Sequence, residues 1–533
     1  MKTYPLLING EDLDTGVYDY YPYADKVVSD TVRTRRVVRE LREGGQPKTW
    51  QDYVYARYCI GKEDTNQQAL QAAHAASKAF RHFSLSRRKK IMAELRNRLL
   101  VHKQELIQLM VIEGHPPKLA EWEFQGMEQA YESETISFYR SQLLQNVGTT
   151  NGESFYLARK PDGVLCVSPP KNAACSNSLL AAFALLGGNT IVIKPPLHAP
   201  LSTMVLWRQV VYEAARNQGA PPGVVNIVLG NSKVITDEWL ASPLVNDVLY
   251  FGDSDQGLEI GLRAFGAGKK PLLELSGNDM LVVWKDADLE GAVSSLLDGF
   301  LGSTQICMLP KKGVIHKGIY DQFVRRFVQA AESLKVGLPS DPAVYLSPVG
   351  KIGQFFAVLE DALHKGAKLL CGGKQVNYLG QPDKRGAFIT PAVLRIDNLE
   401  QAITMRCVKE ENFFPLIPLI RVDAPPSSEK ARKEDEAILQ RMIELVNGNA
   451  YGLRVSVWVR SEPVMYKFAK QISTGGLLRV NTRHVGFSPF LSSHGGTGKT
   501  GGPYGEMNYV WQKTTHLQGI TVRNLARSVK LSV

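Results

Sequence analysis

Short apolar runs alternate with helical segments along most of this chain, and that alternation restricts its fold more than any other feature. Strand-like runs at 190–194, 224–229 and 248–251 are separated by helical segments such as 201–217. Parallel strands need crossover connections, which helices commonly supply, so the pattern is typical of a parallel sheet covered on both faces. It predicts an α/β fold that begins with a Rossmann-like, dinucleotide-binding type of sheet.

A second series of the same kind follows and predicts a second α/β domain. Its strand-like runs lie at 280–284, 313–316, 367–371 and 416–422, and its helical segments at 289–301 and 318–335. Since a chain of 533 residues is too long for one compact core, we expect two or more domains. The first 65 residues are turn-rich and strand-like, and Asn9-Gly10 predicts a hairpin there.

The composition is that of an ordinary globular protein, with 44% hydrophobic and 22% charged residues. The formal charge of +11 comes from 63 Lys and Arg against 52 Asp and Glu, dispersed in short clusters such as 87–90 and 311–312. Dispersed charge predicts solvated faces with a mild preference for anionic ligands such as phosphorylated cofactors. It does not favour a nucleic-acid partner.

The six cysteines form no Cys-x-x-Cys pair, and the ten histidines show no metal-ligand spacing. We therefore predict reduced thiols and no metal site. The N-terminus has too short an apolar run for a signal peptide, and no uncharged, continuously apolar stretch reaches the ~18 residues that span a bilayer. These features predict a cytoplasmic protein without a membrane partner.

Cys307 and Glu274 are the candidate catalytic residues. Cys307 follows an apolar helical stretch, and Glu274 ends a strand-like run just before Leu-Ser-Gly. A thiol that attacks a carbonyl needs a neighbour to manage its proton, and a thioester product needs a base to activate water. Taken alone, the cysteine would be a small buried hydrophobe and the glutamate one half of a salt bridge.

The order and spacing of several motifs give these two residues a context. Together they resemble the aldehyde dehydrogenase superfamily over roughly residues 60–520. The matching segments are Glu113-Gly-His-Pro116, 186–195, Glu274-Leu-Ser-Gly277, Asp286-Ala-Asp288, Gln305-Ile-Cys307 and 410–415. The glycine-rich segment 494–505 is similar to that of the ring-cleavage semialdehyde dehydrogenases of aromatic degradation.

The resemblance implies roles for individual residues. Cys307 corresponds to the nucleophile, and Glu274 to the base that directs water at the acyl-enzyme. Four positions correspond to cofactor-binding residues: Lys194 at the adenosine ribose or 2′-phosphate, Ser254 at the pyrophosphate, and Glu411 and Phe413 at the nicotinamide ribose and ring. The cofactor is then NAD or NADP, and NADP is acceptable because Leu197 replaces the glutamate that commonly repels its 2′-phosphate.

The oxyanion site departs from the family pattern. The family has Pro-Trp-Asn-Phe-Pro where this chain has Pro-Pro-Lys-Asn-Ala, so ungapped counting puts Lys171 at the position of the asparagine. Either Asn172 donates its amide after a small loop shift, or Lys171 serves as a cation; we favour Asn172, with the Cys307 N–H as second donor. The alternative for Asn172 is a helix cap. Thr304 and Gly302 replace a glycine and an asparagine of the family.

From this resemblance we expect NAD(P)-dependent oxidation of an aldehyde, semialdehydes included, to a carboxylic acid through a cysteine thiohemiacetal and thioester. The alternatives are a coenzyme A-acylating dehydrogenase and a catalytically silent binding or scaffold protein of the same shape. The implied organisation is a homodimer or homotetramer. Its domains would be 1–141 with 160–275 for the cofactor, 276–477 for catalysis, and 142–159 with 505–533 as a small β oligomerisation element.

Overall fold

The computed structural model of the protein describes residues 1–425 and 431–523. The strands are β1 (Lys2–Tyr4), β2 (Leu6–Ile8), β3 (Glu11–Leu13), β4 (Tyr18–Pro22), β5 (Val54–Cys59), β6 (Leu144–Thr150), β7 (Glu153–Pro161), β8 (Val164–Ser168), β9 (Thr190–Ile193), β10 (Val225–Ile227), β11 (Asp247–Phe251), β12 (Lys270–Glu274), β13 (Asp279–Val283), β14 (Pro310–His316), β15 (Lys368–Cys371), β16 (Gln375–Val376), β17 (Phe388–Ile389), β18 (Ala392–Ile396), β19 (Leu416–Val422), β20 (Tyr451–Gly452), β21 (Arg454–Trp458), β22 (Leu477–Val480), β23 (Thr497–Gly498) and β24 (Thr515–Arg523).

The helices are α1 (Ala24–Ser29), α2 (Thr31–Arg42), α3 (Trp50–Tyr53), α4 (Thr65–Phe80), α5 (Leu85–Val101), α6 (Lys103–Ile112), α7 (Pro117–Ala130), α8 (Ser133–Leu143), α9 (Ala174–Leu179), α10 (Phe183–Gly187), α11 (Leu201–Val205), α12 (Glu213–Asn217), α13 (Ser232–Ala241), α14 (Ser254–Gly266), α15 (Leu289–Leu297), α16 (Lys317–Glu332), α17 (Ile352–His364), α18 (Leu399–Ala402), α19 (Arg406–Lys409), α20 (Ala431–Asn447), α21 (Glu462–Gln471) and α22 (Val510–Lys513). A short 3₁₀ segment, Asp298–Thr304, follows α15.

The first large sheet has the order β12-β11-β8-β9-β10-β2-β3. Its first five strands are parallel, and the N-terminal hairpin β2–β3 is added antiparallel at one edge. Strands β8 to β11 are buried throughout, which explains why their sequences are continuous apolar runs. The predicted parallel α/β sheet is confirmed.

The chain reverses direction across this sheet between β10 and β11. Strands β8, β9 and β10 follow one another outward, and the chain then returns to place β11 on the other side of β8. Ligands of open α/β sheets bind outside the carboxyl ends of the strands at such a switch point. The segments after β8, β9, β11 and β12 therefore meet at one edge.

The second large sheet has the order β15-β18-β19-β14-β13-β21-β22 and is parallel except for β15. This is the second α/β series expected from the sequence. Its last strand runs to Val480, three positions beyond the predicted limit at 477. Only the short link 275–278 separates the end of β12 from the start of β13, so residues of both sheets are brought close at that point.

The third sheet joins two distant parts of the chain. The hairpin β6–β7 pairs through β7 with β24, in the order β24-β7-β6. Both β6 and β24 are edge strands, and most of their residues are exposed. The end of the predicted element, 524–533, lies outside the described residues.

The N-terminal region differs from its sequence-based prediction. The hairpin turn at Asn9-Gly10 is present, with φ of 50° and 81° at the two residues, the left-handed values that a tight two-residue turn requires. However, 24–42 is helical rather than strand-like. Val37, Val38 and Leu41 of α2 are buried. Their spacing is helical, but the neighbouring turn residues and tyrosines hide it in the sequence.

Over the described residues, no helix combines the length and apolar character needed to cross a bilayer.

Candidate functional site

The loop that carries Cys307 begins with three consecutive left-handed residues. Gly302, Ser303 and Thr304 have φ of 58°, 59° and 64°. This conformation costs a non-glycine residue roughly 1–2 kcal/mol, and such strain persists only where the surroundings impose it. Here Ser303 Oγ donates to the Ser347 carbonyl at 2.5 Å, one of the contacts that hold the loop in place.

Lys311 and Gln305 brace the same loop. Lys311 Nζ donates to the carbonyls of Thr304 and Ile306 at 2.7 and 2.6 Å, and Gln305 Nε2 donates to the Pro348 carbonyl at 2.8 Å. Lys311 and its neighbour Lys312 are both fully buried. The prediction that the 311–312 cluster belongs to a solvated face is therefore wrong, because backbone carbonyls satisfy these two ammonium groups inside the protein.

We expect Thr304→Gly to raise the free energy of unfolding by roughly 1 kcal/mol. Glycine adopts the left-handed conformation without the steric cost that a β-branched residue bears. The change also removes Oγ1, which is buried with no hydrogen-bond partner among the described residues. The midpoint of urea or thermal unfolding measures the effect. Ser303→Gly is the control, since it relieves a similar φ but loses the bond to Ser347; a Thr304→Gly midpoint at or below the wild-type value would contradict stored strain.

The link between the two large sheets packs directly on the Cys307 backbone. A β-carbon at Gly277 would lie only 2.2 Å from the Cys307 carbonyl oxygen, so this approach requires glycine. The Gly277 N–H also donates to Glu411 Oε1 at 3.0 Å. Glu274 ends β12 three residues earlier. Three predicted site residues that are far apart in sequence are thus brought together around one turn.

Cys307 is largely but not fully buried, whereas four of the other five cysteines are fully buried. Burial of its sulfur, together with the nearby carboxylates of Glu411 and Glu274, raises the pKa of Cys307 to about 12, and the ammonium of Lys311 opposes that rise. The thiol is therefore protonated at neutral pH. A neighbouring base has to accept its proton before the sulfur can attack.

Glu274 has the properties of that base. Its side chain is 6% exposed, and burial raises the pKa of the carboxyl to about 7 despite the hydrogen bonds it accepts. Oε1 accepts from Asn508 Nδ2 at 2.8 Å, and Oε2 from the Gly495 N–H at 2.9 Å. A carboxyl that titrates near neutrality exchanges protons efficiently under physiological conditions.

Asn172 and Lys171 occupy different environments. Asn172 Nδ2 donates to the carbonyl of Gln305 at 2.8 Å, which places its amide against the loop that carries Cys307. Lys171 is exposed. Asn172 also lies two residues before α9 begins and makes no cap bond to it, so the alternative role as a helix cap is not observed. Of the two candidates for the oxyanion, Asn172 is the one in contact with the nucleophile loop.

Lys194 follows β9 at the carboxyl edge of the first sheet. Its Nζ donates to Ser232 Oγ at 3.0 Å, at the start of α13. The side chain is 3% exposed, and desolvation lowers the pKa of Lys194 to about 8. A buried ammonium with unused donor capacity fits an anionic or hydroxyl-bearing ligand at this edge, such as the ribose or 2′-phosphate of a dinucleotide.

Ser254 lies at the start of α14, but that helix end is already occupied. The Ser254 hydroxyl donates to the Lys499 carbonyl at 2.7 Å, and the Asp253 carboxylate accepts from the N–H groups of Asp255 and Gln256. Free N–H groups at a helix N-terminus attract phosphates. A pyrophosphate bound here would have to displace the Asp253 carboxylate, which is a local departure from the expected fit.

Glu411 and Phe413 lie beside the nucleophile loop. Burial raises the pKa of the Glu411 carboxyl. The Lys311 ammonium and the Gly277 N–H partly counteract this rise. The ring of Phe413 is half-exposed, and Lys311 Nζ lies 5.3 Å from its centroid. A carboxylate and an aromatic ring near the nucleophile suit the ribose hydroxyls and the ring of a nicotinamide nucleotide.

Several residues of the site were missed by the sequence analysis. Asn508 and Gly495 hold Glu274, and Lys311 holds the Cys307 loop. Arg454 is 1% exposed and donates to the carbonyls of His484 and Ser493, which orders the segment that leads to Gly495. The glycine-rich composition of 494–505 was the one available signal that this segment is unusual.

Comparison with known proteins identifies the family of this chain. The model of the aldehyde dehydrogenase family matches residues 46–520. The chain belongs to the aldehyde dehydrogenase family. Its general chemistry is therefore that of an NAD(P)-dependent aldehyde dehydrogenase, and the fold described above is that of the family.

Individual aldehyde dehydrogenases show how widely the resemblance extends. The chain is 29% identical to the mitochondrial succinate-semialdehyde dehydrogenase of Arabidopsis thaliana, over 85% of this chain and 81% of the relative. It is 30% identical to a benzaldehyde dehydrogenase of Bacillus subtilis, over 71% of this chain and 73% of the relative. A salicylaldehyde dehydrogenase from Pseudomonas putida G7, solved with salicylaldehyde, matches all of both chains with a TM-score of 0.79 at 23% identity.

Proposed function

We propose that this aldehyde dehydrogenase oxidises an aldehyde to a free carboxylic acid, with Cys307 as nucleophile and Glu274 as deacylating base. The observation that carries the proposal is the approach of Gly277 to the Cys307 carbonyl. It brings the link that follows the strand ending in Glu274 against the backbone of Cys307. A nucleophile and a base of suitable pKa are the two groups that the reaction needs.

The first step forms a bond between sulfur and carbon. Cys307 Sγ attacks the aldehyde carbon as its proton passes to Glu274, and the carbonyl oxygen becomes the oxyanion of a thiohemiacetal. The amide of Asn172 and the Cys307 N–H donate hydrogen bonds to that oxygen. When bound, NAD(P) supplies the hydride acceptor, held by Lys194, Glu411 and Phe413 and, in part, at Ser254. Loss of hydride leaves a thioester on Cys307.

The second step releases the product. Glu274 first releases to solvent the proton that it took from Cys307. Its carboxylate then takes a proton from water, the resulting hydroxide attacks the thioester carbon, and Cys307 Sγ leaves as a thiolate that regains this proton from Glu274. The acid therefore forms without coenzyme A. The buried, hydrogen-bonded Glu274 favours hydrolysis over acyl transfer to coenzyme A, because a base beside the thioester can deprotonate the attacking water.

The test is a steady-state assay of the purified protein with aliphatic and aromatic aldehydes, in NAD and in NADP. We expect formation of reduced cofactor and one equivalent of free acid without coenzyme A. Turnover that requires coenzyme A and yields an acyl-thioester would replace the proposal with the acylating reaction. No turnover with any aldehyde, although cofactor binds, would leave the silent scaffold as the better description.

We expect Lys194→Met to raise the KM for NADP about tenfold and that for NAD less. Methionine keeps the buried apolar stem but removes the ammonium that would pair with a 2′-phosphate, and a tenfold change corresponds to about 1.4 kcal/mol. The readout is KM for each cofactor at saturating aldehyde. Lys233→Met is the control, since Lys233 is nearby but its side chain is 85% exposed. Equal increases for both cofactors would place Lys194 at the shared ribose instead.

We propose further that the protein forms homodimers or homotetramers through the third sheet. Within the described part of the chain, β6 and β24 have no strand partner along their outer edges, and a second copy would pair the backbone groups there. Light scattering measures the mass directly. A monomer at micromolar concentration would contradict this part of the proposal.

A further inference from the structure

A small, partly open cavity is lined by residues that are neighbours in sequence of the proposed catalytic groups or of their hydrogen-bond partners. Ile306 and Met308, which flank Cys307, form part of its wall. Ala173, which follows Asn172, and His494, which precedes the Gly495 that holds Glu274, line it as well. If Cys307 is the nucleophile, as the proposed function has it, the body of a bound aldehyde would extend toward this cavity. The side chains in its wall then bear on which aldehydes the protein accepts.

Most of the wall is apolar and aromatic. Trp122 and Met127 of α7, Leu180, and Phe487 contribute apolar surface, together with Tyr131, whose hydroxyl already donates to the Leu179 carbonyl at 2.6 Å. None of the described residues that line the cavity is lysine or arginine. Such a wall favours an apolar substrate body and provides no cation for a substrate carboxylate.

The histidine of the wall does not provide a cation either. Burial, with the nearby Arg454 guanidinium, lowers the pKa of His494 to about 3, so the ring is neutral at physiological pH. Its Nδ1 lies 2.7 Å from Ser493 Oγ, and its Nε2 lies 3.1 Å from Asn177 Oδ1. Both ring nitrogens of His494 are thus hydrogen-bonded to uncharged side chains.

The charged side chain in the wall is a carboxylate. Glu123 is 1% exposed; its Oε2 accepts from Ser176 Oγ at 2.7 Å, and its Oε1 lies 2.8 Å from His115 Nδ1. Burial acts to lower the pKa of His115, but Glu123 outweighs it and the pKa is raised. His115 is therefore committed to Glu123, and a second carboxylate in the cavity would be desolvated without a partner.

Asn177 adds a neutral donor to the same wall. It is 3% exposed, and its Nδ2 has no hydrogen-bond partner within the described part of the chain, while its Oδ1 is held by His494. A buried amide donor left unpaired costs about 1–3 kcal/mol. A neutral oxygen on a bound substrate would satisfy it.

We propose that this cavity selects uncharged aldehydes with an apolar or aromatic body and a neutral oxygen acceptor for Asn177, and that it rejects semialdehydes ending in a carboxylate. The succinate-semialdehyde relative is therefore a poor guide to this chain's substrate. The benzaldehyde relative is the better one.

The test compares aldehyde acids with their methyl esters, which lack the negative charge and carry one additional methyl group. Methyl 4-oxobutanoate is compared with 4-oxobutanoate, and methyl 4-formylbenzoate with 4-formylbenzoate. We expect kcat/KM for each ester to exceed that for its acid at least tenfold. Equal values, or a preference for the acids, would overturn the inference and leave the proposed function intact. Absence of turnover with all four aldehydes would overturn both.

Two variants assign the selectivity to named groups. Glu123→Gln keeps the shape and the contact with Ser176 but removes the charge, so the ester-to-acid ratio should fall several-fold. The wild type should prefer 3-methoxybenzaldehyde, whose ether oxygen can accept from Asn177, to benzaldehyde. Asn177→Leu removes the unpaired donor and should abolish that preference. Glu121→Gln, the same charge change at an exposed position of α7, should leave both ratios in place. Ratios that respond equally to all three changes would show that neither Glu123 nor Asn177 sets the selectivity and would overturn the inference.

Discussion

Cys307→Ala should abolish oxidation of every aldehyde while cofactor binding survives. Without the sulfur there is no covalent adduct from which hydride can leave, and no neighbouring side chain substitutes for it. Loss of a nucleophile commonly lowers kcat by about 10⁴-fold or more, so residual turnover should be at the limit of detection. The measurements are steady-state absorbance of reduced cofactor and, separately, cofactor affinity by calorimetry.

Cys371→Ala is the matched control for this result. Cys371 is the other cysteine that is not fully buried and lies at the end of β15, on the edge of the second sheet. We expect normal turnover in this variant and loss of turnover in Cys307→Ala. Retained turnover in Cys307→Ala would remove the thiol from the mechanism, and loss of cofactor affinity would mean that the variant acts through misfolding.

The strands of the two large sheets could be predicted from the sequence because they are buried on both faces. A strand covered on both faces is apolar at every position, as in β9 and β11, and such runs stand out from their surroundings. The helices at 24–42 could not be predicted in the same way. They lie outside the main cores, and their apolar residues are separated by charged ones.

The residues that carry chemistry were predictable where a family motif contains them, as with Cys307 and Glu274. The residues that hold them in place were not. Lys311 bonds backbone carbonyls, and such partners leave no sequence signature. Asn508 lies far from Glu274 along the chain and meets it only through the fold. The left-handed conformation at Thr304 was also hidden, since threonine disfavours it.

Glu274→Gln should stop the enzyme after a single turnover. Glutamine keeps the size of the side chain but does not accept a proton from water, so the thioester on Cys307 accumulates. The expected record is a burst of about one equivalent of reduced cofactor per site, slower than in the wild type because the base that takes the Cys307 proton is also lost. A steady-state rate lower by roughly 10²–10⁴-fold, the usual contribution of a general base, follows the burst. Mass spectrometry should detect the acyl group on the protein, and hydroxylamine should release it as a hydroxamate.

The pH dependence tests the same residue in the unaltered enzyme. The carboxylate is the active form of a base, and burial sets the pKa of Glu274 at about 7, so deacylation should accelerate from pH 6 to 8 and then level off. Glu259→Gln, at an exposed position on α14, should keep both the rate and this profile. Steady-state rates in Glu274→Gln equal to those of the wild type would refute the deacylating role. A wild-type profile flat across pH 7 would mean that another group activates the water, since a carboxyl with this pKa necessarily changes its ionisation over that interval.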